Sequence, residues 1–284
     1  MDPVLNGALN IITIIKNALD TDEGALIGRN GTIELEQMIS GNTESLYVLE
    51  KNAGIFPSMN PFVFLRWRSE SIEATKYADA VATGWYEPLK KAEEEALELW
   101  NSKAIRIPLR SLEPYYVDSD SQWTKLLDGH GVSVVSCFTK TMSSQVNNLK
   151  NIWETNIFPD TINWQWVQTG HPKSVARGSN EWPYEVTNSL EAINYIVTEV
   201  VKQGSRFALI GCGGIGMIVA NKLKERGVIC IVLGGAIQVL FGIKGKRWEN
   251  HSVISKFWNE HWVLPSHEET PGLAKTIEGG CYWY

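Results

Sequence analysis

The chain has 284 residues, 44% of them hydrophobic, and its 26 Lys and Arg against 32 Asp and Glu give a net charge of -6. This length can bury a large core, while an acidic balance without a Lys/Arg-rich block argues against a general nucleic-acid or anionic-membrane binder. Because no run reaches the roughly 18 to 20 apolar residues of a membrane span and no signal peptide is recognisable, we expect a cytoplasmic protein.

In the first half of the chain, strand-length apolar runs are followed by turns and helical patterns. Residues 4–19 carry apolar side chains at helical spacing, residues 25–28 form a short buried strand, and residues 33–39 resume a helix. Further along, residues 90–100 predict an acidic helix, and residues 132–137 predict a strand that leads into a polar helix through Lys150. The strand-loop-helix unit therefore occurs twice.

The second half predicts a helix followed by a βαβ crossover. Residues 188–201 are amphipathic, residues 207–210 and 228–233 are strand-like, and residues 215–226 between those strands are helical. With no repeat or long linker, we expect one domain over residues 1–284, an α/β fold with a Rossmann-like, mostly parallel sheet and helices on both faces. Ligands of such sheets bind beyond the carboxyl ends of the strands.

The clearest candidate loop is Gly-Cys-Gly-Gly-Ile-Gly at residues 211–216, between a predicted strand and a predicted helix. Its N–H groups and the helix N-terminus suit a pyrophosphate, which makes Gly211, Gly213 and Gly214 candidate ligand-binding residues. Such turns also serve only to pack a helix on a sheet. A nicotinamide dinucleotide would in addition want an acid after the next strand, and that strand runs into Gly234 and Gly235.

The segment after that strand combines glycines with cations and an indole. Lys244, Lys246 and Arg247 could neutralise a leaving diphosphate, and Trp248 could stack on a base or a sugar. The alternative is a solvated basic turn.

Two loops nearer the N-terminus add polar groups at strand ends. Arg29 and the Asn30-Gly31 turn precede Glu34 and Glu36, which could bind a metal, act as a base, or simply complement the helix dipole. The loop that starts at Ser136 offers hydroxyls, a lysine and amides for an anion or an acceptor, although capping and turn formation explain its hydroxyls nearly as well.

The composition contains twelve Trp and four Cys. Exposed indoles could stack on sugar rings, but core packing is the commoner role of any one Trp. The cysteines lack C-x-x-C spacing, so we expect reduced intracellular thiols, and no histidine spacing predicts a zinc site.

Taken in order, these motifs resemble the GT-D class of glycosyltransferases, which includes groups found in large algal DNA viruses and in bacterial polysaccharide clusters. The resemblance covers most of the chain and is carried by Arg29-x-Gly31-x-x-Glu34, residues 112–116 (LEPYY), Ser136 and Phe138 within residues 134–138 with Gln145, residues 210–214 (IGCGG), Gly234 to Gln238, residues 241–248 (FGIKGKRW) and residues 278–283 (EGGCYW).

The resemblance implies a UDP-sugar donor, with UDP-xylose and an inverting β linkage as the first guess. It implies an oligosaccharide acceptor such as a viral capsid N-glycan, and hence the host cytoplasm. Better-known members have Asp-x-Glu after the glycine turn, whereas this chain has Thr32 in place of the aspartate and keeps Glu34. Threonine is a poor ligand for Mn²⁺ or Mg²⁺ beside a carboxylate, so Lys or Arg could replace much of a metal's charge.

These expectations define a hypothesis for catalysis. The donor diphosphate lies across the two glycine loops, its sugar points toward Arg29 and Glu34, and a carboxylate accepts the acceptor's proton. Glu34 is the first candidate base and Asp79 the second. The alternatives are an NAD(P)-dependent oxidoreductase that uses the loop at residues 211–216, and a carbohydrate-binding protein without turnover.

Overall fold

The strands of the chain lie in one parallel sheet. The computed structural model describes residues 2–43, 46–178 and 180–284. Its strands are β1 (Ala25–Arg29), β2 (Ala80–Ala82), β3 (Ile105–Ile107), β4 (Gly131–Ser136), β5 (Asn163–Gln168), β6 (Phe207–Gly211) and β7 (Ile229–Val232). They pair in the order β3-β2-β1-β7-β6-β4-β5, and every pairing is parallel.

Helices connect these strands. They are α1 (Pro3–Thr21), α2 (Thr32–Ser40), α3 (Leu46–Ala53), α4 (Pro61–Lys76), α5 (Lys90–Leu99), α6 (Thr139–Gln145), α7 (Leu149–Ile152), α8 (Lys173–Ala176), α9 (Ser189–Gln203), α10 (Gly216–Lys224) and α11 (Ala236–Leu240). Short 3₁₀ turns fill much of residues 109–127 and the C-terminal segment from Lys246 to Gly280.

Alternation along the strands creates a core on each face of the sheet. In β6, Phe207 and Leu209 enter one core while Ala208 and Ile210 enter the other. Burial of such a side chain contributes about 1.5–3 kcal/mol, so a strand that is apolar at every position is stable only when both faces are covered.

Helices cover both faces of the sheet. Residues of α2, α3, α4, α9 and α10 form the core on one face, and residues of α1, α11 and the C-terminal segment form the core on the other. The predicted α/β fold with a parallel, Rossmann-like sheet is therefore confirmed. Among the described residues, no helix is both long and apolar enough to cross a membrane.

The predicted strands and helices are present within two residues of their expected bounds, with one exception. The polar helix expected through Lys150 is interrupted, because α6 ends at Gln145 and a 3₁₀ turn precedes α7. At this break the Gln145 amide donates to His261 O, 2.8 Å away, so it anchors the C-terminal segment.

Other elements were not predicted from the sequence. The strands β2 and β3 have three residues each, which is too short to show a periodic hydrophobic pattern in the sequence. Strand β5 has the sequence NWQWVQ, whose polar residues conceal its place at the edge of the sheet.

The start of β1 generates a stability prediction. A Cβ placed on Gly24 would lie 2.1 Å from Lys224 O, so the backbone itself would have to move. We expect Gly24→Ala to destabilise the fold by about 1–3 kcal/mol in urea denaturation, as overpacking does. In Gly131→Ala, by contrast, the nearest heavy atom would be 3.6 Å from the new Cβ, so the stability of this control should change little. Equal stabilities of the two variants would contradict the prediction.

Candidate active site

A cavity of about 680 Å³ lies beyond the carboxyl ends of β1, β7, β6 and β4. Its walls include the loops that follow these four strands. The chain leaves β1 toward one edge of the sheet and leaves β4 toward the other, which is the arrangement that opens a crevice in parallel sheets. The volume suits a small organic ligand or a nucleotide conjugate.

The two glycine loops pack directly on each other. A Cβ placed on Gly211 would lie 2.4 Å from Ile237 Cγ2 and 2.7 Å from Gly234 O, so neither contact leaves room for a side chain. Gly213 has φ +63°, in the left-handed region that favours glycine. These glycines allow both loops to reach one wall of the cavity.

The first loop leaves backbone donors at the start of a helix. Residues Gly213–Ile215 form a 3₁₀ turn that leads into α10, and no described residue accepts a hydrogen bond from the N–H of Gly213 or Gly214. Trp67 Nε1 donates to Gly214 O at 2.8 Å and holds the turn from behind. Such a turn is suited to an anion, because free N–H groups and the helix dipole both favour negative charge.

Arg29 provides positive charge on the opposite side of the second loop. Its Cζ lies 4.7 Å from the centre of the Trp85 ring, and its Nε donates to Asn30 O at 3.2 Å. A Cβ placed on Gly234 would lie 3.3 Å from a terminal nitrogen of the guanidinium. None of the ion pairs among the described residues includes Arg29, so no contacting carboxylate neutralises it.

Arg247 is already paired with the C-terminal segment. Its guanidinium contacts the Glu278 carboxylate, donates to Tyr282 OH at 3.0 Å, and lies 4.6 Å from the centre of the Tyr282 ring. The same tyrosine lies against the second glycine loop, since a Cβ placed on Gly235 would be 2.5 Å from Tyr282 Cε1. Arg247 therefore fastens the C-terminal segment over this loop.

Glu34 lies in the third position of α2, at the cavity wall. Its carboxylate folds back over the turn, because a Cβ placed on Gly31 would lie 2.0 Å from Glu34 Oε2. Burial raises the pKa of Glu34, Arg29 and the backbone oppose this effect, and nearby Glu278 adds to it. No described cation forms an ion pair with Glu34, which leaves its oxygens available for a proton.

A second carboxylate of the cavity, Glu113, is fully engaged. Arg110 donates to both of its oxygens, at 2.9 and 3.0 Å, and Tyr115 OH donates at 2.6 Å. Burial raises the pKa of Glu113 although Arg110 and Tyr115 oppose it. Arg110 also lies 3.1 Å from His251 Nε2. The contacts of Glu113 fix the position of Arg110 rather than leaving a free base.

Most of the site residues predicted from the sequence line this cavity. They are Arg29, Gly31, Glu34, Ser136, Phe138, Gly211, Gly213, Gly234, Gly235, Gln238, Arg247 and Trp248. Gly214 lies behind the turn, against the side chain of Glu34. Besides Gly214, four predicted residues do not line the cavity, namely Asp79, Gln145, Lys244 and Lys246.

Asp79 is not at the cavity, and its prediction as a base is wrong. Asp79 Oδ2 accepts from Leu26 N at 2.7 Å and from Lys224 Nζ at 2.8 Å. Because β2 starts at Ala80, Asp79 precedes its strand and lies at the amino edge of the sheet. Its role is to join β1 and α10.

The basic segment departs from expectation as well. Lys244 Nζ lies 5.7 Å from the centre of the Trp258 ring, and Lys246 is exposed. The Trp248 ring is buried and packs edge-on against Tyr282, so it supports the cavity wall instead of presenting an open face to a ligand. Of the three predicted cations, only Arg247 reaches the cavity.

Several cavity residues were not predicted as site residues. They include Lys51 and Asn52 at the end of α3, Trp85 after β2, Arg110, His251 and Trp283. For Arg110 and Trp283 a signal existed, because both lie in or next to segments that carry the resemblance. Lys51 and Asn52 come from a helix that the sequence did not predict.

The tryptophans and cysteines have mainly structural environments. None of the twelve Trp is exposed, which favours packing over surface sugar stacking. All four cysteines are free. Cys137 and Cys212 line the cavity, and burial raises the pKa of both thiols, that of Cys212 to about 12.

The side chains do not assemble an evident metal centre. Within the part of the chain that the structure describes, no group of three or more His, Cys, Asp or Glu residues could hold a metal ion. Thr32 lines the cavity next to Glu34, at the position where the resembling enzymes carry an aspartate.

Comparison with known proteins finds no match among protein-family models, curated proteins or solved structures.

The burial of Glu34 generates a pH prediction. Since its pKa is raised in the native state, the stability that its protonated form provides is complete below the unfolded pKa and is lost as pH rises through the native pKa. We expect Glu34→Gln to gain stability over the wild type as pH rises above about 4, the ordinary value of a glutamate, measured by urea denaturation.

Glu36→Gln is the matched control for that experiment, because Glu36 is exposed on the same helix. This variant measures the effect of replacing a carboxylate by an amide on α2 where the side chain is not buried. A Glu34→Gln variant whose stability relative to the wild type falls toward high pH would contradict the burial of this carboxyl group.

Proposed function

We propose that this protein is a glycosyltransferase that moves a sugar from a UDP-sugar to an oligosaccharide acceptor. The observation that carries the proposal is Arg29, a guanidinium without a carboxylate partner that faces the second glycine loop inside the cavity. A buried or half-buried cation without a partner favours an anionic ligand, and arginine suits the geometry of a phosphate.

The diphosphate has a second set of donors nearby. The free N–H group of Gly213, which lines the cavity just before α10, lies in the loop that packs on Gly234, and Arg29 lies beside Gly234. A diphosphate placed between them would receive backbone hydrogen bonds from one loop and positive charge from Arg29. Arg247 supplies further charge at the rim, although Glu278 neutralises part of it.

Glu34 is the base of the proposed reaction. The acceptor hydroxyl attacks the anomeric carbon, its proton passes to Glu34, and the bond from that carbon to the diphosphate oxygen breaks. The electron pair of the broken bond leaves on UDP, whose growing charge Arg29 and the loop N–H groups stabilise. The raised pKa of Glu34 makes it a stronger base than an exposed carboxylate.

The finer assignments follow from the resemblance to GT-D enzymes. UDP-xylose as donor, an inverting β linkage, a viral capsid N-glycan as acceptor, and location in the host cytoplasm belong to the proposal on that basis. Because Thr32 removes one expected carboxylate ligand, Lys or Arg would supply much of the charge that Mn²⁺ or Mg²⁺ supplies in those enzymes.

A thermal-shift experiment distinguishes this proposal from its alternatives. UDP at about 100 times its Kd should stabilise the protein by about 2.7 kcal/mol, a rise in Tm of several degrees, with hydrolysis of one UDP-sugar. Stabilisation by NAD alone would instead indicate an oxidoreductase, and stabilisation by a free glycan but no nucleotide would indicate a carbohydrate-binding protein. UDP, GDP, CMP and NAD are each measured with and without Mn²⁺.

The contribution of Arg29 can be tested separately. Arg29→Ala should weaken UDP binding about 10- to 100-fold in calorimetry, because a charge-assisted contact to phosphate contributes about 1.5–3 kcal/mol. The matched control is Lys246→Ala, which removes an exposed cation outside the cavity and should change the Kd less than about twofold. Equal losses in both variants would show that the protein attracts UDP by general charge only.

A further inference from the structure

A second, smaller cavity of about 220 Å³ adjoins the main one, and we call it the side groove. The two cavities share His171, Pro172 and Trp182 as wall residues. The shared residues place the two cavities side by side. The side groove is further lined by Glu50, Phe56 and Thr187.

Aromatic rings form one side of the side groove. Phe56 and Trp182 stack with their ring centres 6.3 Å apart and their planes 22° from parallel. Beside the groove, Lys173 Nζ lies 5.9 Å from the centre of the ring of Tyr184, which is 90% exposed but does not itself line the groove. Because Phe56 and Trp182 are buried, Tyr184 presents the aromatic face that is open to a sugar ring, which has apolar faces and hydroxyl edges.

Glu50 builds the polar side of the side groove. One of its oxygens accepts from Ser58 N and Ser58 Oγ, both at 3.0 Å, and the other accepts from Ser174 Oγ at 2.9 Å. These bonds join the end of α3 to the turn after it and to α8, which lie far apart in sequence. These hydrogen bonds fix the shape of the side groove before a ligand binds.

The end of α3 separates the side groove from the proposed base. Lys51, Asn52 and Ala53 line the main cavity, whereas Glu50 lines the side groove. A Cβ placed on Gly214 would lie 3.0 Å from Glu34 Cγ and 3.3 Å from Ala53 Cβ, so Glu34 meets the end of α3 at this glycine. The same short helix thus borders the side groove at Glu50 and the part of the main cavity next to Glu34 at Ala53.

His171 is one of the wall residues that the two cavities share. Burial lowers its pKa to about 4, so the ring is neutral at physiological pH. Its Nε2 has no hydrogen-bond partner among the described residues, and the ring packs edge-on against Trp283. A neutral imidazole at this point is compatible with an uncharged, hydroxyl-rich ligand.

We propose that the side groove binds the acceptor oligosaccharide, an inference that rests on the glycosyltransferase function proposed above. A neutral glycan lies along Trp182 and Tyr184, with Lys173 and Thr187 beside its hydroxyls, and its terminal sugar passes Pro172 and His171 toward Glu34. Tyr184 and Lys173 are then specificity-determining residues for the acceptor and have no part in donor binding.

The test measures oligosaccharide binding and UDP binding on the same variants. Cello-, manno-, xylo- and chitotetraose and a released high-mannose N-glycan are titrated by ligand-observed NMR, and UDP by calorimetry. Tyr184→Ala and Lys173→Ala should each raise the Kd of the bound oligosaccharide about fivefold and leave the Kd of UDP within about twofold. The exposure of both side chains keeps the fold intact.

Tyr77→Ala is the matched control, since Tyr77 is also exposed and also has a lysine, Lys76, 5.2 Å from its ring centre, but Lys76 lines neither cavity, whereas Lys173 lines the side groove. It should leave both Kd values unchanged. The inference is overturned if none of the oligosaccharides binds, or if Tyr184→Ala and Lys173→Ala bind them as tightly as the control.

The UDP titration decides the transferase proposal independently of the groove. Oligosaccharide binding that depends on Tyr184, in a protein that does not bind UDP, would retain the side groove as a glycan site and refute glycosyl transfer. If UDP binds but Tyr184→Ala leaves the oligosaccharide affinity unchanged, the donor site is retained and the side groove is refuted as the acceptor site.

Discussion

The contact between two glycine loops at the carboxyl edge of the sheet is the constraint on which the site depends. Strands β6 and β7 are neighbours, so the loops that follow them must share the same space. Gly211 fits against Gly234 and Ile237 because it has no Cβ. A side chain there would separate the loops and remove the wall that faces Arg29.

The charges of the cavity are arranged around that wall. Arg110 is held by Glu113, and Arg247 by Glu278 and Tyr282, so both have partners within the protein. Arg29 has a ring beneath it and no ion pair among the described residues. Lys51 at the cavity wall also has no ion pair among the described residues, so Arg29 and Lys51 carry the charge that remains available for a ligand, and Arg29 carries it beside the second glycine loop.

The C-terminal segment completes the enclosure. Glu278 N donates to Asn52 Oδ1 at 3.0 Å, which ties this segment to the end of α3, and Gln238 Nε2 donates to Tyr282 O at 2.9 Å. The same end of α3 separates the main cavity from the side groove. One short helix thus takes part in closing the donor cavity and in shaping the proposed acceptor groove.

The sequence by itself determined the α/β fold, the β6-α10-β7 crossover, and the placement of Arg29, Glu34 and both glycine loops at strand ends. Those features follow from local periodicity and from the rule that parallel strands share a carboxyl edge. Only the tertiary structure decided that Asp79 lies at the opposite edge, because β2 is too short to reveal where it starts. The tertiary structure also decided that Glu278 pairs with Arg247 and that α3 borders the cavity. The C-terminal segment meets α3 through Glu278 and Asn52, which are 226 positions apart, and no local sequence pattern encodes such a contact.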